Sequence, residues 1–418
     1  MHIRATYILE TPHPIEDAAE ILAGEQSTGT FIDIPGETRE IKERYRTQVV
    51  SIRPLGTVAA PTTGYDQKTI VEEYHRAEVQ VAIPFEMLGA SMNTLLASTM
   101  GNVYELRQVS GLRLVDLDLP EVFTEAFAGP QFGVAGTRAL VGSTAGRPII
   151  GSVIKPSVGL STQETADMVR ALVGAGVDFI KDDELMANPP YCPLEDRVHA
   201  VMRVISEHAE QTGKKVMYAF CINDDMDAML RHYETIVKAG GTCAQVTINQ
   251  IGVTGVLRLR KESALALHAH RAGWGMMTRN KMLGIGFRAY QKIWRLVGVD
   301  HLHVNGLDSK FWEPNDSVVE SIRACLDTTF PKKPVMPVVG SAQWGGQAPE
   351  TFMQTGTLDL IYVAGGGIMG HPGGAAAGAR AIQQAWQAAV EGIALEDYAR
   401  DHRELREAID TFGKKAHP

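Results

Sequence analysis

"PIIGSVIKPSVGLSTQETADMVRALVGAGVDFIKDDE", residues 148–184, decides the fold. "PIIGSVI" reads as a short buried strand. Ser161 and Glu164 then stand at the spacing of a capping box, which opens a helix running through Val173. "GVDFI" is the next strand. Strand, crossover helix and strand together make a parallel unit.

The same rhythm continues to the C-terminus. "KVMYAF", "CAQVTI", "ALALHAH", "VDHLHV", "PVMPVVG" and "LDLIYVAG" read as further strands. Helices are expected near 194–210, 226–239, 316–326 and 348–355, after "CAQVTI", and over "FRAYQKIWRLV" and "AAAGARAIQQAWQAAVEGI". That makes eight strand–helix units in about 250 residues, the size of a (β/α)8 barrel. The fold class is therefore α/β, with a C-terminal TIM barrel over 129–418.

Residues 1–128 read as an α+β domain. "IRATYILE" alternates like a strand and "PIEDAAEILAGE" reads as a helix with an acidic start. "RTQVVSIRPL" and "HRAEVQVAIP" are further strands. "NVYELRQVSGLRLVDLDLP" is expected to be a hairpin or strand pair, and Gly-rich 125–142 a linker.

Composition narrows the function. The chain has 418 residues, 44% of them apolar and 21% charged, with a formal net charge of -9. That charge argues against nucleic-acid or anionic-membrane partners. No apolar run is long enough to span a bilayer, and no signal-peptide pattern opens the chain. The 4 cysteines lack a CxxC pair. They read as free thiols in a reducing cytoplasm, with no zinc site.

Barrel chemistry sits at the C-terminal ends of strands. Lys155 follows strand 1, and Lys181, Asp182, Asp183 and Glu184 follow strand 2. His270 and Arg271 follow strand 5, His303 strand 6, Ser341 strand 7, and Gly365–Gly367 strand 8. Strand alternation points Lys181 and Asp183 one way and Asp182 the other. Two carboxylates suit Mg²⁺. Lys181 joins them as a ligand only if CO2 converts it to a carbamate. A salt-bridge cluster and a Schiff-base lysine are the alternatives. Lys155 reads as a tuned acid–base group or as an anion partner. Arg271 beside the histidines favours an anion site. The glycine turn "VAGGGIMGHPGG" offers backbone N–H groups to phosphate. Lys310, in a longer loop, is either a cation that closes over substrate or a plain surface lysine.

These motifs, in this order, resemble the large subunit of ribulose bisphosphate carboxylase/oxygenase (RuBisCO). "GSVIKPSVGLS", "GVDFIKDDE", "HAHR", "DHLHVNG" and "GGGIMGHPGG" carry the resemblance, with "GEQSTGTF" and "MGNVYELRQVSGLRLVDLDLP" in the first domain. The resemblance implies a ferredoxin-like first domain. It implies Mg²⁺ held by carbamylated Lys181, Asp183 and Glu184, with Lys155 as acid–base group and His270 lining the metal side. Arg271, His303 and Ser341 resemble one phosphate site; Gly365, Gly366 and Thr30 resemble parts of the other. Glu25, Thr30 and Asn102 resemble residues lent to a neighbouring subunit, which implies at least a homodimer with sites at the subunit interface.

The chain departs from the carboxylase at Ser157, where that enzyme has a second lysine, and at Phe31 and Val153. It departs again at Ala342 and Gln343, where glycines lie near phosphate; a Gln343 side chain is expected to crowd or replace that phosphate. These departures resemble a RuBisCO-like protein (form IV). Retained Lys310 fits a substrate bearing a carboxylate. The resemblance thus implies a decarboxylase or transcarboxylase/hydrolase acting on a phosphorylated sugar acid such as 3-oxo-isoapionate 4-phosphate. A methionine-salvage enolase or isomerase on a methylthio sugar phosphate is the alternative, and a non-catalytic sensor the reading from another class.

Overall fold

The computed structural model describes residues 1–29, 34–63, 71–143 and 146–413. The N-terminal strands are β1 (His2–Thr11), β2 (Gln48–Val58), β3 (Tyr74–Pro84) and β4 (Gly111–Asp118). Then come β5 (Ile149–Val153), β6 (Phe179–Lys181), β7 (Met217–Cys221), β8 (Cys243–Thr247) and β9 (Ala266–His270). β10 (Leu283–Ile285), β11 (His301–Asn305), β12 (Met336–Gly340) and β13 (Ile361–Val363) complete the set.

The chain forms two compact units. The first holds Met1–Ala128 and Gly273–Leu296, and the second Gly129–Ala272 and Val297–Pro418. In the first unit β1, the helix Ile15–Glu25, β2, β3, the helix Met92–Met100 and β4 follow in β-α-β-β-α-β order. The sheet runs β10-β4-β1-β3-β2, so its first-domain part is ferredoxin-like. β1 shows why the sheet forms. Ile3, Ala5, Tyr7 and Leu9 alternate onto one buried face, as the period of 2 requires.

Two local expectations are corrected. The stretch 102–120 is not a hairpin: a 3-10 turn covers Asn102–Glu105 and only β4 is extended. β4 pairs antiparallel with β1 and parallel with β10, from the segment that follows β9. The expected linker contains the helix Gly133–Val141. Glycine content suggested a loop, but Gly142 is left-handed at φ 63°, the conformation that ends helices, and Thr137, Arg138 and Val141 give the helix a buried face.

The second unit is the barrel. β5 to β9 and β11 to β13 close into a ring, and every neighbouring pair is parallel. Ile149, Phe179, Met217, Cys243, Ala266 and Met336 pack with Val338 and Ile361 into its core. The larger of these, Ile149, Phe179, Met217, Met336, Val338 and Ile361, each contribute about 1.5–3 kcal/mol through burial. The first crossover begins as the sequence predicts: the Ser161 hydroxyl accepts from Glu164 N–H, and Glu164 accepts from Ser161. All four cysteines are buried and free. Among the described residues no helix is long and apolar enough to cross a membrane.

Candidate active site

β6 is a three-residue strand that ends at Lys181, and the Asp182 N–H still donates to the Ala219 carbonyl at 3.1 Å. Lys181 is 1% exposed. Its Nζ donates to the Asp182 carbonyl at 2.8 Å and lies 3.9 Å from Glu184 Oε2. Burial pulls this ammonium's pKa down, against the opposing pull of Glu184 and Asp183.

Asp183 turns toward the end of β5. Lys155 Nζ donates to Asp183 Oδ2 at 3.2 Å and to Ser157 Oγ at 2.5 Å. Burial works to raise the Asp183 pKa, but the Ser157 hydroxyl and the Lys155 ammonium hold it below the usual carboxylate value. Glu184 meets His270 Nε2 at 3.4 Å. The His270 and His303 rings lie 4.9 Å apart. Enclosure, followed by neighbouring cations, pushes both imidazoles well below their ordinary pKa. The His270–Glu184 contact is therefore one between a neutral ring and a carboxylate. Lys155, Lys181, Asp183, Glu184, His270 and His303 thus share one mouth.

Asp182 faces away from it. It accepts from Tyr218 Oη at 2.5 Å and from Cys221 N–H at 2.9 Å, and it pairs with Arg197 at 3.2 Å. All of these partners are buried.

Arg271, just past β9, donates from Nη2 to Glu313 Oε2 at 2.8 Å. Asn305 Nδ2 donates to the same oxygen at 2.6 Å, and Ser341 Oγ donates to Asn305 Oδ1 at 3.3 Å. Ser341 therefore reaches Arg271 through Asn305 and Glu313. Sequence reasoning missed both intermediaries. Glu313 is 42 residues from Arg271, and no motif spacing links them.

The Gln343 side chain is buried. Nε2 donates to Leu307 O at 3.0 Å and to Ser341 O at 3.1 Å. The amide lies over Gly306, where a Cβ would sit 2.1 Å from Cδ of Gln343. Only glycine leaves that space. Ser341 and Ala342 take positive φ values of 75° and 58° to bring the amide there.

Gly365 and Gly366 open the short helix after β13. A Cβ on Gly365 would stand 3.4 Å from the Val153 carbonyl, and one on Gly366 would face open space. Lys310 is exposed, with Nζ over the Phe311 ring at 5.3 Å and not at the Lys181 cluster. Asp308 and Asn315 clamp the base of its loop through two 2.9 Å hydrogen bonds. In the first unit, Glu25 and Asn102 are both exposed. Their chain neighbours meet: a Cβ on Gly101 would lie 3.1 Å from Gln26 Nε2. Thr30 and Phe31 lie outside the described residues.

Among the described residues no three His, Cys, Asp or Glu side chains gather as a ready-made metal site. What the mouth offers is two carboxylates beside a buried lysine. That set suits a hard divalent cation once the lysine bears a carboxylate oxygen. The depressed pKa of Lys181 favours the neutral amine, the form that reacts with CO2.

A closed parallel barrel with acids and lysines at its C-terminal mouth defines an enzyme of the (β/α)8 class. The family is more specific. Residues 133–412 match the model of the ribulose bisphosphate carboxylase large chain, catalytic domain, and 2–123 match its N-terminal domain. The chain belongs to this family, among its RuBisCO-like members. It is 50% identical over 413 residues to a 3-oxo-isoapionate-4-phosphate decarboxylase of Rhizobium etli, covering 98% of each chain. It is 48% identical to a 3-oxo-isoapionate-4-phosphate transcarboxylase/hydrolase of Xanthobacter autotrophicus, covering 97% of this chain and 98% of that one. A solved rubisco-like protein from Burkholderia fungorum superposes with a TM-score of 0.92 at 42% identity, covering 98% of this chain and 100% of that one. Solved carboxylases near 30% identity are described as octameric in Pyrococcus horikoshii (30%) and dimeric in Hyperthermus butylicus (29%).

Proposed function

We propose that the protein is a Mg²⁺-dependent carboxy-lyase acting on a phosphorylated branched 3-oxo acid, with 3-oxo-isoapionate 4-phosphate as the leading candidate. The observation that carries this reading is the joined pair of contacts at one mouth, Lys155–Asp183 and Lys181–Glu184–His270. Relatives at about half identity over nearly the full chain support the substrate class.

Lys181 as its carbamate, Asp183 and Glu184 would hold the metal. When bound, it would act as a Lewis acid on the negative charge that develops at the keto oxygen. In a 3-oxo acid the bond to the carboxylate breaks, CO2 leaves, and the electron pair remains as an enediolate. Lys155 then supplies a proton to the carbon that lost the carboxylate. Its Nζ is held by Ser157 and Asp183, so the proton is aimed before substrate arrives. His270 is neutral and orients Glu184. Lys310 stands on a clamped loop and would hold the substrate carboxylate until it departs. The exposed backbone at Gly366 would receive the phosphate. Arg271, His303 and Ser341 would bind the rest of the substrate.

Assembly as a homodimer or larger oligomer, with Glu25, Thr30 and Asn102 serving a neighbour's site, is part of the same proposal. Light scattering tests it directly.

The deciding experiment is NMR of the protein with Mg²⁺, bicarbonate and 3-oxo-isoapionate 4-phosphate in D2O. CO2 release with deuterium on the carbon that carried the carboxylate establishes decarboxylation. Loss of a two-carbon fragment without CO2 points to the transcarboxylase/hydrolase outcome. No reaction ends the proposal and moves attention to methylthio sugar phosphates.

A further inference from the structure

Glu313 has no part in the reaction as proposed, yet it occupies a conspicuous place. Its side chain is 1% exposed, and that of its partner Arg271 is 4% exposed. Arg271 and Asn305 both donate to Oε2, while Ser317 Oγ donates to Oε1 at 2.9 Å. A guanidinium, an amide and a hydroxyl converging on one carboxylate is the donor set that a bound phosphate would use. Here the anion is built into the chain.

The carboxylate is also fixed. Glu313 immediately precedes Pro314, the N-cap of the helix Asn315–Leu326, and Ser317 stands in that helix's first turn. It is the anchored end of the loop that carries Lys310, not its tip. An incoming phosphate would have to expel this carboxylate or share the pocket with it. Expulsion strands a buried charge, and sharing sets two anions side by side. Both are costly. Arg271 and Glu313 together carry no net charge, so Arg271 is not a spare cation for a dianion. Hydroxyls and carbonyls fit there better than a phosphate does.

We propose that Glu313 is a specificity determinant: it fills the Arg271 anion site from within, so that the mouth accepts substrates with one phosphate and gains little affinity from a second. The inference rests on the reading of this mouth as a phosphorylated-substrate site, but not on which reaction follows.

The test is direct calorimetric binding to the full-length protein, which needs no turnover. A pentulose 1,5-bisphosphate is compared with the matching pentulose 5-phosphate, both with Mg²⁺ and bicarbonate. The wild type is expected to bind the bisphosphate less than tenfold more tightly than the monophosphate. Glu313→Gln, which keeps shape and removes charge, is expected to raise that ratio at least tenfold. A wild-type ratio of tenfold or more overturns the proposal, as does an unchanged ratio in Glu313→Gln or a failure to bind the monophosphate. If Glu313→Gln does not fold, as judged by circular dichroism, the wild-type ratio decides alone. Should the NMR experiment find no decarboxylation while the ratio holds, the reaction assignment falls and this inference stands.

Discussion

Asp182 and Asp183 are consecutive carboxylates at the end of one strand, with opposite surroundings. Asp182 lies behind β6 against the helix Leu194–Thr212. Its oxygens are held by Arg197, Tyr218 and the Cys221 N–H, all of them buried. Asp183 lies at the mouth. Its partners are Lys155, whose side chain is 40% exposed, and the nearby Ser157. A carboxylate saturated by immovable donors holds a fold together. One held by accessible, exchangeable donors is available for chemistry. The difference comes from partners and not from the residue itself.

The largest expected effect breaks the pair apart by substitution. Lys181→Met and Asp183→Asn should each lower turnover by about a thousandfold or more, as should EDTA, since roughly 4 kcal/mol of transition-state stabilisation is at stake. Asp182→Ala should instead cost about 3 kcal/mol of stability by leaving the buried Arg197 without its counter-ion. Its folded fraction should turn over within severalfold of wild type. Urea unfolding and single-turnover CO2 release separate the two outcomes. If Asp182→Ala abolished turnover at unchanged stability, the contrast drawn here would be wrong.

Lys155→Met sharpens the mouth side. Loss of the proton donor should lower kcat by about 100-fold or more, with a smaller change in KM. An unchanged kcat would return Lys155 to a merely ionic role.

A pH titration probes the barrel interior. His301 is buried beside Thr137, and burial lowers its pKa to about 4. The unfolded chain takes up this proton near pH 6.5 and the folded one does not. The contribution is therefore complete above about pH 6.5 and is lost as pH falls through about 4. The expected loss is about 3 kcal/mol over that window, measured as unfolding free energy in urea. His301→Gln should flatten this part of the curve.

The smallest effect calibrates the rest. Ser161→Ala removes one half of the capping box and should cost about 1 kcal/mol with no change in kcat.

The barrel was legible because its signals are local. Alternating apolar runs, the Ser161–Glu164 box and the glycines at strand ends each depend on neighbours within a few residues. Lys181 and Asp183 could be read as facing together from strand alternation alone. The helix Gly133–Val141 was missed because Gly133, Gly136 and Gly142 in and beside it read as a loop, while its buried face is set by tertiary packing. β10 was missed because three residues joining a distant sheet edge leave no periodic trace.

The amino-acid sequence by itself therefore determined the eight-unit rhythm and the acid–lysine cluster after β6. Each of these follows from backbone periodicity or from residues adjacent in the chain. Tertiary structure alone decided which groups those residues meet. It set Glu313 against Arg271, 42 positions away, and folded Gln343 onto Gly306. It also gave Asp182 to Arg197 while leaving Asp183 to Lys155. Ion pairs and close packing depend on distance in space, and closing the barrel brings together partners that sequence spacing does not encode.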